Sequence, residues 1–187
     1  GIKWWDNFGE YGFLTKLRTE QLRDIGPALS PQSAFNLLQG VETLPQRIDA
    51  HLANARVVAE WLDSDPRVEY VTWAGLAHHP HHERAAKYLP LGPGSVFSFG
   101  VKADDGRAAG ETLIENLQLA SHLANIGDAR TLVIHPASTT HRQLTEQQLF
   151  AAGVRPDLIR ISVGLEDAED IIWDLDQALT TATGATR

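Results

Sequence analysis

Cysteine and methionine are both missing from this 187-residue sequence. Without cysteine there can be no disulfide, thiolate metal site or cysteine nucleophile. Without methionine the chain carries no start codon of its own, so we expect a piece of a longer protein. Positive charge is scarce: 16 Lys and Arg stand against 24 Asp and Glu, a formal net charge of −8. That balance argues against nucleic acid or an anionic membrane as partner. No apolar run approaches the ~20 residues of a membrane span, and no signal-peptide pattern opens the chain. A cytoplasmic location is expected.

What is present begins with Trp4, Trp5 and Phe8, an apolar cluster that some other surface should cover. Phe13, Leu14, Leu17, Leu22 and Ile25 then recur at helical spacing up to Gly26-Pro27. Ser30-Pro31 opens a second helix, with proline where its missing N–H costs nothing. Thr43 to Gln46 reads as a capping box. Ile48, Leu52, Ala55, Ala59 and Leu62 then step by three and four along a long amphipathic helix ending near Asp65-Pro66.

Beyond it the pattern changes. Val68 to Trp73, Ser95 to Val101, Leu132 to His135 and Ile159 to Val163 read as strands. Helices are expected over Gly106–Leu117, Thr145–Ala152 and Asp167–Leu179, with a frayed tail from Thr180 to Arg187. His78, His79, His81 and His82 invite a metal reading, but Pro80 marks a turn among them, and an exposed loop is expected. The strands do not follow strict βαβ spacing. The fold class is therefore α+β, with helices covering one face of a mainly antiparallel sheet.

Three places could carry chemistry. In the last strand Ile159, Ile161 and Val163 point one way, and Arg160 and Ser162 the other. A guanidinium between β-branched neighbours suits a carboxylate ligand, which its planar fork meets bidentately. The competing reading is a surface arginine paired with an Asp or Glu of this acidic chain. Ser138-Thr139-Thr140 offers hydroxyls and N–H groups that could position an anion, or simply an ST-turn. Asn125, before Gly127-Asp128, could bind a ligand or shape a turn. His135 and His141 have no nucleophile beside them and are read as structural.

With these residues in view, the chain resembles the C-terminal part of the pyridoxal-phosphate enzymes of sulfur amino-acid transsulfuration. The resemblance rests on Leu29-Ser30-Pro31, Leu37 to Leu44, His135 to His141 and Arg160 to Asp167, and it spans essentially the whole chain. Lys87-Tyr88-Leu89-Pro90, Val96 to Lys102 and His122 to Asp128 look most like the O-acetylhomoserine sulfhydrylase subgroup. In cystathionine synthases and lyases a serine commonly stands where this chain has Asn125.

The resemblance implies an aspartate-aminotransferase-like fold type I. Residues 1–43 would connect to a missing large domain, and 44–187 would form the C-terminal small domain. Arg160 would bind the substrate α-carboxylate, assisted by Asn125 and Thr140. The parent would use pyridoxal phosphate to make homocysteine and acetate from O-acetylhomoserine and sulfide, as a homo-oligomer, usually a tetramer. The cofactor lysine of the family sits in a Ser-x-Thr-Lys-like segment, and none of Lys3, Lys16, Lys87 and Lys102 has that context. No catalytic, cofactor-binding or metal residue is expected in this chain, which alone would be inactive. Cystathionine γ-synthase and methionine γ-lyase are sibling possibilities, and a stand-alone carboxylate-binding module is the alternative of another class.

Overall fold

The computed structural model describes residues 1–185 and residue 187. The chain divides into two compact units, Gly1–Thr43 and Leu44–Arg187.

The first unit is helical. Helix α1 (Trp4–Phe8) stacks Trp4 on Phe8 with ring centroids 5.6 Å apart. A tight turn at Gly9–Tyr11 leads into α2 (Gly12–Lys16), which continues through π-helical turns at Leu17–Leu22 into α3 (Arg23–Ile25). Gly26 ends this run in the left-handed region, φ +66°, where a side chain would be strained. Helix α4 (Pro31–Glu42) starts as its sequence predicts: the Ser30 hydroxyl accepts the Ser33 N–H at 3.1 Å, and Pro31 fills the first turn. Thr43 closes α4. The apolar residues Phe35, Leu37, Leu38 and Val41 are all more than half exposed.

The second unit holds the core. Helix α5 (Leu44–Asp63) is followed by β1 (Val68–Val71), α6 (His82–Tyr88), β2 (Val96–Val101), α7 (Gly106–Asn116), β3 (Ser121–His122), β4 (Leu132–Ile134), α8 (Glu146–Ala151), β5 (Leu158–Ser162) and α9 (Ala168–Thr183). The strands form one sheet in the order β1-β2-β5-β4-β3. The pairs β1–β2, β2–β5 and β5–β4 are antiparallel, and β4–β3 is parallel. Both edges are short: β3 has two residues, and β1 has four with a register shift between Val68 and Tyr70.

Alternation along the central strands decides which face is buried. Phe97, Phe99 and Val101 of β2 join Ile159 and Ile161 of β5, with Val163 just beyond, in a core completed by Ala55, Val58, Ala59 and Leu62 of α5, Leu113 of α7 and Ile171, Leu175 and Leu179 of α9. The observed α+β class, with helices against a mainly antiparallel sheet, is the one read from the sequence.

A capping box with both reciprocal bonds opens α8 at Thr145 and Gln148. Two local expectations need correction. His82 begins a helix rather than lying in a loop, and among the described residues no histidine or acidic cluster is arranged to hold a metal. The C-terminal segment is not frayed from Thr180. Helix α9 runs on to Thr183, the Thr180 hydroxyl accepts from Arg67 at 2.8 Å, and Arg187 donates to Ser64 at 2.7 Å. Buried Arg67 thus gives these residues polar partners that sequence periodicity does not register. Thr186, part of that expected tail, lies outside the described residues.

Candidate carboxylate-binding site

Parallel pairing of β3 with β4 sends the chain back along the length of β3 before it can start β4, because parallel neighbours require a crossover. Residues 123–131 make this return, and Asn125 lies on it. Gly127 turns the segment with φ +73°. On β5, Arg160 stands level with Ser98 of β2 on one side and Ile134 of β4 on the other. The crossover brings its backbone to that position: the Asn125 carbonyl accepts from the Arg160 guanidinium at 3.4 Å. Arg160 and Asn125, named separately from the sequence, therefore meet.

The surface-ion-pair reading of Arg160 does not hold. It is half-buried, and none of the ion pairs among the described residues includes it. A guanidinium carries five N–H donors, and the long bond to Asn125 engages one of its nitrogens. The other donors are available to an anion in the plane of the fork. The Asn125 side chain is turned back on its own backbone, its Oδ1 accepting the Ile126 N–H at 2.9 Å.

Thr140 is placed differently. It is exposed, and its hydroxyl bonds His141 Nδ1 at 2.8 Å. The turn before it is largely self-contained. His135 is fully buried; its Nε2 lies 2.6 Å from the Pro156 carbonyl and its Nδ1 2.9 Å from the Ser138 hydroxyl. A carbonyl can only accept, so Nε2 carries the proton and Nδ1 accepts from Ser138. Burial holds the His135 pKa below the usual imidazole value, against smaller opposing effects of Pro156 and Glu111. Thr139 donates its hydroxyl to the His135 carbonyl at 2.7 Å. His135 is thus a structural pin, as the sequence reading has it.

The sequence reading missed the residues that hold the crossover. Asp174 of α9 is buried and accepts three backbone N–H groups, from Gln118, Leu119 and Ala120, at 2.7, 3.0 and 2.8 Å. Glu166 accepts the Thr131 N–H at 2.7 Å and the Thr131 hydroxyl at 2.8 Å. The available signal was an aspartate within the apolar stripe Ile171, Leu175, Ala178 of the closing helix, since a charge on such a stripe needs internal partners.

Lys3 pairs with Asp6 and Lys16 with Glu20; Lys87 lies over the Tyr88 ring; all four lysines, Lys102 included, are exposed.

Comparison with known proteins decides the family. Residues 10–180 match the model of the Cys/Met metabolism PLP-dependent enzymes. The chain belongs to this family. It is 48% identical over 182 residues to the homocysteine/cysteine synthase of Saccharomyces cerevisiae, covering 93% of this chain and 41% of that protein. It is also 48% identical over 179 residues to O-acetyl-L-homoserine sulfhydrylase 1 of Thermus thermophilus, covering 96% of this chain and 42% of the relative.

Among solved structures, one from Campylobacter jejuni described as an O-acetylhomoserine (thiol)-lyase, carrying a pyridoxyl-lysine phosphate, superposes with a TM-score of 0.78. It is 42% identical and covers 89% of this chain and 39% of its own. Cystathionine gamma synthase from Xanthomonas oryzae, in complex with cystathionine, gives 0.74 at 36% identity, covering 84% and 40%. The fold is thus that of Cys/Met metabolism PLP-dependent enzymes, and the chain spans about two fifths of the curated relatives it matches.

Proposed function

We propose that this chain is the C-terminal, carboxylate-gripping part of a PLP-dependent O-acetylhomoserine sulfhydrylase. That enzyme converts O-acetylhomoserine and sulfide into homocysteine and acetate. The observation that carries the reading is Arg160: half-buried, without an acidic partner among the described residues, and approached by the Asn125 carbonyl. It takes the substrate α-carboxylate as a bidentate pair. Asn125 assists through its backbone carbonyl against the guanidinium, and Thr140 contributes a hydroxyl on the substrate side. The high identity to sulfhydrylases supports sulfide as the acceptor over cysteine.

Residues 1–43 connect to a large domain, and the lysine that holds the cofactor lies outside this chain. The exposed setting of all four lysines supports that division. The reaction is then carried out by the longer protein, as a homo-oligomer, and no step of it is assigned to residues here beyond substrate binding. The test is to assay the full-length enzyme with O-acetylhomoserine and either sulfide or cysteine. Homocysteine formed from sulfide supports the reading. Cystathionine as the dominant product from cysteine would make the protein a cystathionine γ-synthase. Amino-acid binding by the 187-residue chain alone, without cofactor, would favour a stand-alone module instead.

A further inference from the structure

The segment that runs through β3 and the crossover carrying Asn125 is held at both ends by a buried and a half-buried carboxylate. At the entrance, Asp174 Oδ1 accepts the Gln118 N–H, and Oδ2 accepts those of Leu119 and Ala120. Gln177 Nε2 donates to Asp174 Oδ1 at 3.1 Å and to the Asn116 carbonyl at 2.6 Å, so α9 grips the chain where α7 ends. At the exit, Glu166 holds Thr131, whose hydroxyl in turn accepts the Gly164 N–H at 2.9 Å. The Leu165 N–H bonds the Ala129 carbonyl at 2.8 Å. Between these pins, residues 123–127 are exposed.

An ionised carboxylate at 1% exposure is costly unless it accepts charge-assisted bonds. Its neighbours Ile171, Leu175 and Ala178 show that an apolar residue would suit the same helix face. What the carboxylate adds is a fixed path for Gln118 to Ala120. That path sets β3, and β3 sets where the chain turns back toward Arg160. We infer that Asp174 is a positioning residue for the carboxylate grip. By fixing the approach to β3 it places the Asn125 carbonyl against Arg160, and so the direction of the guanidinium fork. This rests on the reading of Arg160 as the substrate clamp.

The experiment compares Asp174→Asn, Arg160→Ala and the double variant in the full-length, cofactor-loaded enzyme. It reads KM for O-acetylhomoserine, KM for sulfide, kcat and Tm. Asparagine keeps one acceptor oxygen but loses Leu119 and Ala120 or Gln118. Asp174→Asn is expected to raise KM for O-acetylhomoserine about tenfold, with KM for sulfide held within about twofold. In the Arg160→Ala background it should add less than about twofold, because coupled residues are non-additive. A general loss of fold would move both KM values and persist in that background.

If Arg160→Ala leaves KM unchanged, the clamp reading itself fails. If Arg160→Ala raises KM but Asp174→Asn does not, or the two effects multiply in full, the positioning role is overturned while the clamp stands. Should Asp174→Asn not fold, Gln177→Ala takes its place, expected to raise the same KM about two- to threefold. An unchanged KM there overturns the role.

Discussion

The Arg67 guanidinium grips the Asp65 carboxylate with two bonds, Nε to Oδ1 at 2.9 Å and Nη2 to Oδ2 at 2.7 Å. Both residues are under 5% exposed, and Arg67 Nη2 also reaches Asp176 on α9 at 2.5 Å. Burial alone would raise the Asp65 pKa, but the bonds from Arg67 outweigh it and hold the carboxyl below its usual value. Removing one partner strands the other charge. Asp65→Ala is therefore expected to cost about 3–5 kcal/mol, read by urea unfolding. A loss below about 1 kcal/mol would show that water or Asp176 compensates. The sign for pH follows from the lowered pKa: the contribution of Asp65 is present above pH 3.8 and is lost as pH falls through the folded value.

His135 gives the opposite case, a base kept neutral. Its folded pKa lies below 6.5, so the unfolded chain binds more protons in the window beneath 6.5. Stability should fall as pH drops from 7.5 to 5.5. Thermal midpoints across that range should be flatter for His135→Gln than for the parent. Parallel curves would remove this role.

Gly110 of α7 packs on the same ring. A Cβ placed there would lie 2.8 Å from His135 Cδ2 and Nε2. Alanine in a helix ordinarily gains about 1 kcal/mol over glycine. Here the ring is bonded at both nitrogens and cannot yield, so Gly110→Ala is expected to destabilise by about 1–3 kcal/mol, measured by denaturant midpoint.

Tyr70 buries a hydroxyl that has no hydrogen-bond partner among the described residues. Burial, with the Asp157 charge, pushes its pKa to about 12. Phenylalanine keeps the ring under the Arg155 guanidinium, 4.6 Å from the ring centroid. Removing an unpaired buried polar atom should leave stability unchanged or raise it by about 1 kcal/mol. A loss beyond that on thermal unfolding would reveal a bond that water supplies.

For the site itself, Arg160→Lys preserves charge but not the planar fork. KM for O-acetylhomoserine in the full-length enzyme should rise at least about tenfold, with fold and Tm retained. Equal KM values would mean that charge alone suffices.

The central elements were legible because burial writes a period into the sequence. The alternation Ile159, Ile161, Val163 against Arg160 and Ser162 gave the last strand its facing, and the three–four stepping of α5 gave its core stripe. The pairing of Arg160 with the Asn125 backbone was not legible. It depends on a parallel crossover closed by a strand of only two residues, too short to leave a pattern. Asp174 and Glu166 were hidden for a related reason. Their partners are mainly backbone N–H groups, which every residue but proline has and which no side-chain periodicity marks. Helix α6 was obscured because its start lies in a histidine run, and histidine carries little helical preference.

The two ends of the sheet have a consequence for aggregation. A strand of two residues on one side and a four-residue strand with broken register on the other offer almost no continuous row of free N–H and C=O groups. Neither border offers a second strand much to pair with, which shields the domain from open-ended strand addition.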